Sequence, residues 1–259
     1  MFKKLFGRAA EQPAQAPART EPAFDSAKAV APPRQGTGKL ANEGGEIVVK
    51  FVRAGYQDER GIHLESVLSA LAALAGYAAQ VTALRLIKDG DPAARQFPQV
   101  HEIKTKDGQA FLMIELANQL VAAPGGPDKL TILTLVANAA MRAGSKQLPD
   151  MAAIMKRNAA HFGSLDYPPL SVDPRHFPRQ NALAALRQWW PVVVTVFSAV
   201  ELRDIHPLYW MFTLANETGK LIEEGKDILN PDIAMTLVME TAVAMSKVTG
   251  ISSEFPKQA

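Results

Sequence analysis

Ser66-Val-Leu-Ser-Ala-Leu-Ala-Ala-Leu-Ala-Gly-Tyr-Ala-Ala-Gln-Val-Thr-Ala-Leu84 is a run of nineteen residues without a charge, seven of them alanine. Read from His63 to Lys88, it places Leu64, Val67, Leu68, Leu71, Leu74, Ala78, Val81 and Leu84 at spacings of three and four. That period predicts one long helix. Its middle has so little bulk that neighbouring backbones can come close on several sides. The run is also long enough to cross a bilayer. Alanine gains little in lipid, however, and Ser66, Ser69, Gln80 and Thr82 interrupt the stretch. The expectation is a buried central helix.

Working outward, Asp89-Gly-Asp-Pro92 ends this helix, as Gly and Pro do. Val100–Thr105 and Ala110–Glu115, joined by Lys106-Asp-Gly-Gln109, carry the Asp-Gly signal of a β-hairpin. Glu46-Ile-Val-Val-Lys-Phe-Val-Arg53 is rich in β-branched residues and predicts a third strand. After Leu116 the pattern is helical, with helices expected at 116–122, 129–143, 149–162, 180–190, 192–203, 207–225 and 231–248. Pro191, Pro207 and Pro231 would each occupy a first helical turn, and Asn230 a cap. In the last helix, Ile233, Leu237, Val238, Thr241, Met245 and Val248 form one stripe, fit for core packing or for self-association. The predicted fold is α+β and predominantly helical. It has a small antiparallel sheet of about three strands beside a multi-helix core, with residues 45–255 as one domain.

Residues 1–44 read differently. Between residues 9 and 44 there are ten alanines and five prolines and no apolar period. Too few large side chains exist to offset ordering entropy, which predicts a disordered tether. Its tip, with Phe2, Leu5 and Phe6 flanked by Lys3 and Lys4, suits weak contact with an anionic lipid surface or a partner groove. The same tip also reads simply as a frayed terminus.

Charge narrows the function classes. The 259-residue chain has 28 Lys+Arg and 26 Asp+Glu. Seven and four of these fall in residues 1–44, so the body is close to neutral. A protein that grips a phosphate backbone needs a basic face, so no nucleic-acid partner is expected. The absence of cysteine removes disulfides, thiolate metal sites and cysteine nucleophiles, and is compatible with a cytoplasmic setting.

The candidate ligand-binding residues are His63, Glu65, His161, Asp166, Asp173, Arg175 and His176. His63 and Glu65 open the central helix. Residues two apart on a regular helix point about 200° from each other, so this pair suits a cap and a dipole-favoured anion better than a chelate. His161 to Arg179 gathers histidines, aspartates and arginines on a proline-rich loop. Such groups orient a base, fork onto an anion, or pin the loop itself. His101-Glu102 would alternate across a strand, and Glu201, Asp204 and His206 would satisfy a helix junction. No phosphate loop, His-Glu-x-x-His or Gly-x-Ser-x-Gly is present, and no metal or cofactor is expected. The sequence therefore favours a non-enzymatic regulatory or protein-interaction domain on a flexible tether, partnered by another protein or by itself. The alternative is a hydrolase-like or metal-dependent enzyme built on the 161–179 loop.

Overall fold

The computed structural model describes residues 36–92, 94–123, 130–164, 167–199 and 205–251. The tip at Phe2–Phe6, Asp166, Glu201 and Asp204 lie outside them. Helix α2 (Leu64–Lys88) is the axis of the molecule, and every residue from Ser66 to Ala83 is buried. Around it pack α1 (Thr37–Gly55), α3 (Glu115–Ala122), α6 (Ala182–Phe197), α7 (Pro207–Glu224) and α8 (Pro231–Met245). Helix α4 (Ile132–Arg142) lies on α7, and α5 (Met151–Ala160) on α8. The fold is predominantly helical, with small antiparallel β elements at its edge, as the sequence predicts.

Small residues explain how α2 takes so many neighbours. At Gly76 an added Cβ would lie 2.2 Å from the Ala242 carbonyl oxygen, so α2 and α8 meet backbone to backbone. Most polar residues on α2 are matched to partners. Gln80 donates to the Ser246 carbonyl at 3.1 Å, Thr82 to the Ala78 carbonyl, and the Ser66 hydroxyl accepts the Arg179 N–H. The helix meets the length and composition of a membrane span, but its apolar surface is covered by other helices.

The hairpin forms as predicted: β3 (Val100–Lys104) pairs antiparallel with β4 (Ala110–Ile114), from Val100 opposite Ile114 to Lys104 opposite Ala110. A second, two-residue hairpin joins β1 (Gln57–Asp58) to β2 (Gly61–Ile62). The strand predicted at 46–53 is instead helix α1, which also takes in residues 37–44 that composition assigned to the tether. Its buried face is Ala41, Gly44, Gly45, Val48, Val49 and Val52, a helical period that outweighs the β preference of its valines. Contact with α7 is close, since a Cβ on Gly45 would fall 2.1 Å from Thr213 Cγ2.

The break predicted at Pro191 is also absent, and α6 runs through it. Proline removes the hydrogen bond to the Arg187 carbonyl. Arg187 and Pro191 both lie on the exposed face of the helix, while Trp189, Trp190, Val193 and Phe197 anchor it on either side of the proline. The stripe on α8 is core, since Leu237, Val238, Thr241, Met245 and Val248 are all buried.

His206 caps α7, its Nδ1 accepting the Leu208 N–H at 3.1 Å. Burial pushes the imidazole down to about 4, with Arg85 acting in the same direction and Asp89 and Asp91 opposing. The unfolded chain binds this proton near pH 6.5 and the folded one only near 4. The resulting stability is complete above pH 6.5 and is lost as pH falls towards 4. Urea denaturation at pH 7 and pH 4 should show the native chain losing about 2–3 kcal/mol more than His206→Asn, which keeps a cap without the titration. Equal losses in the two proteins would remove His206 from the acid response.

Candidate functional site

The loop after α5 folds back over the N-terminal mouth of α2. His63 is the N-cap, its Nδ1 accepting the Ser66 N–H at 3.3 Å and lying 2.9 Å from the Ser66 hydroxyl. That hydroxyl already accepts the Arg179 N–H at 2.9 Å, so its own proton points to His63 Nδ1. His63 is thus an acceptor at Nδ1, and its 3.8 Å approach to Glu65 is a contact without a hydrogen bond. Glu65 instead accepts from His176 Nδ1 at 3.2 Å. Arg179 continues outward to Asp58 at 2.7 Å; the Arg60 N–H, then the Arg179 guanidinium, hold the Asp58 carboxyl below its usual range.

These contacts decide what the mouth can do. In a serine triad the carboxylate addresses the ring nitrogen opposite the serine. Here Ser66 and Glu65 both lie toward His63 Nδ1, and Ser66 is buried. No triad is assembled. Among the described residues no three His, Asp or Glu side chains are placed to hold a metal ion.

Deeper attachments fix the rest of the loop. Glu240 on α8 is 2% exposed and accepts from Arg157 on α5, from the Ser171 N–H at 2.9 Å and from the Ser171 hydroxyl. The Tyr167 hydroxyl lies 3.0 Å from the Ala244 carbonyl, and burial pushes its phenol well up. Asn181 donates back to the Tyr167 carbonyl at 2.8 Å. Asp173 and Arg175, by contrast, pair with each other at the surface, and that guanidinium holds the Asp173 carboxyl low.

Beneath this loop lies a cavity of about 370 Å³. Pro168, Pro169, Leu170, Phe177 and Pro178 supply its apolar side, and Arg157, His161, Ser69 and Thr241 its polar side. Ser69 is 1% exposed and Thr241 is 0% exposed, and neither hydroxyl has a hydrogen-bond partner among the described residues. Thr82, Thr195, Thr218 and Thr236 each return their hydroxyl to the carbonyl four residues back. Thr241 does not. An unmet buried hydroxyl costs roughly 1–3 kcal/mol, and these two lie along one cavity wall.

The structure thus brings His63, Glu65 and His176 together at the mouth and places His161 on the cavity wall. It leaves Asp173 and Arg175 outside both groups. Sequence reading missed Ser69, Arg157 and Thr241. Ser69 reads as an interruption in an apolar helix, and Thr241 as one step of an apolar stripe. Only the unmet hydroxyls, visible once the neighbours are in place, mark them. No family model, curated protein or solved structure matches the chain.

Proposed function

We propose that this chain is a cytoplasmic regulatory domain that acts by binding, taking a small ligand into the cavity beneath the 163–179 loop. Residues 1–35 serve as the tether that carries its basic, apolar tip to a protein partner or an anionic membrane surface. The observation that carries the ligand reading is the pair of buried, unmet hydroxyls, Ser69 and Thr241, on one cavity wall. The volume lies at the lower end of the range for small-molecule sites. Binding rather than catalysis is supported by the mouth, where His63 and Ser66 are engaged in capping α2 and holding the loop. The enzyme reading has one contact in its favour, the Glu65 carboxylate beside His176, which suits a carboxylate-oriented base.

A fragment library screened by ligand-observed NMR tests the proposal. Fragments should bind the full chain and lose binding in Ala182→Phe, which fills the cavity from its buried α6 edge. A chain lacking residues 1–35 should keep the fold and the same fragments but lose capture by phosphatidylserine vesicles or a protein partner. Absence of hits, or hits indifferent to Ala182→Phe in a variant that still melts cooperatively, would dispose of the cavity as a ligand site. Unchanged capture would remove the tether's role.

A further inference from the structure

The charge on the cavity wall is one-sided. Arg157 and His161 line it, and among the described residues no aspartate or glutamate does. Glu240, the carboxylate beside Arg157, is turned to that guanidinium and to both donors of Ser171, so its oxygens are already met. Arg157 gives Glu240 one of the five N–H donors a guanidinium carries. Ser69 and Thr241 add two hydroxyls with nothing to donate to. The Nδ1 of His161 lies 2.8 Å from the Arg157 carbonyl, which can only accept, so Nδ1 holds the proton and the ring is fixed with Nε2 as its other polar edge. Gln180 and Asn181, also on the wall, are engaged elsewhere: Gln180 with Tyr56 and Gln188, Asn181 with Tyr167 and Leu183.

A ligand entering here meets surplus donors on one side and prolines, a leucine and a phenylalanine on the other. An ammonium group would find hydroxyl and imidazole lone pairs but, among the described residues of the wall, no carboxylate to pair its charge. A carboxylate would find a guanidinium and two hydroxyls. We propose that the cavity binds a small organic monocarboxylate. Its carboxylate is held by Arg157, Ser69 and Thr241, and its aliphatic or aromatic body packs against Pro168, Pro169 and Phe177. The assignment rests on the reading of the cavity as a ligand site and gives that site its chemical class.

Isothermal titration calorimetry on the full chain with benzoate, phenylacetate and isovalerate, each against its matched amide and amine, tests it. At least one acid should bind, with its amide and amine weaker by about tenfold or more. Ser69→Ala combined with Thr241→Val should weaken that acid by about tenfold or more while the melting temperature holds or rises, since neither hydroxyl has a structural partner to lose. A melting temperature that falls would show that the hydroxyls serve the fold and overturn their role. Amides or amines that bind as well as the acids would overturn the carboxylate class while leaving a cavity ligand standing. Failure of all three acids would overturn it too, and the fragment screen then decides whether the cavity reading falls with it.

Discussion

Alanine at Gly76 is expected to destabilise the fold by about 3 kcal/mol, and valine there to prevent folding. The sign is informative. By intrinsic helix propensity alone, glycine to alanine in a helix interior should stabilise by about 1 kcal/mol. Packing reverses this, because the new Cβ would fall 2.2 Å from the Ala242 carbonyl oxygen and 2.8 Å from its Cα. Both are backbone atoms, so no change of rotamer relieves the contact and α2 must move away from α8. Urea denaturation followed by circular dichroism measures the loss. Ala242→Gly should not rescue it, since the atoms met remain in glycine. A stabilised Gly76→Ala would show that the two helices are not in backbone contact.

The second large effect is expected at Glu240. Glu240→Ala should cost about 3 kcal/mol, because it strands Arg157 and removes the acceptor for both donors of Ser171. Arg157 is partly open to water, with 31% of its side chain exposed, which keeps the cost at the lower end for a broken buried pair. The damage should be local. Hydrogen exchange should rise through residues 167–181, while the centres of α2 and α7 keep their protection relative to global stability. Glu240→Gln, which keeps the shape and part of the hydrogen bonding, should lose less. If exchange in the loop is unchanged in Glu240→Ala, this carboxylate is not what holds the loop down.

What the sequence disclosed follows from the scale of the interactions. The central helix is legible because a nineteen-residue uncharged run leaves few alternatives, and the Asp107-Gly108 hairpin because its turn chemistry is local. Helix α1 is not legible from its own residues, because a strand and a helix both accept Ile47, Val48, Val49 and Val52. The choice depends on Gly45 meeting Thr213, a partner more than 160 residues away. Pro191 does not end its helix, because it lies on the exposed face while buried side chains on either side hold α6 to the core. For the site, the loop and the helix mouth stood out by composition, and they do meet through His176 and Glu65. The cavity wall did not stand out, because an unmet hydroxyl is a property of what surrounds a residue and not of its neighbours in sequence.

The make-up of the cavity also sets when it can exist. Its wall takes Ser69 from α2, Arg157 and His161 from the region of α5, the prolines of the loop, and Thr241 from α8. Domains can begin to form as the chain emerges during synthesis. This chamber cannot, because one of its two unmet hydroxyls and the glutamate that fastens its roof both arrive with α8. A nascent chain that ends before residue 240 has neither a latched loop nor a complete wall. A complete wall is therefore reserved for chains that have been made through α8.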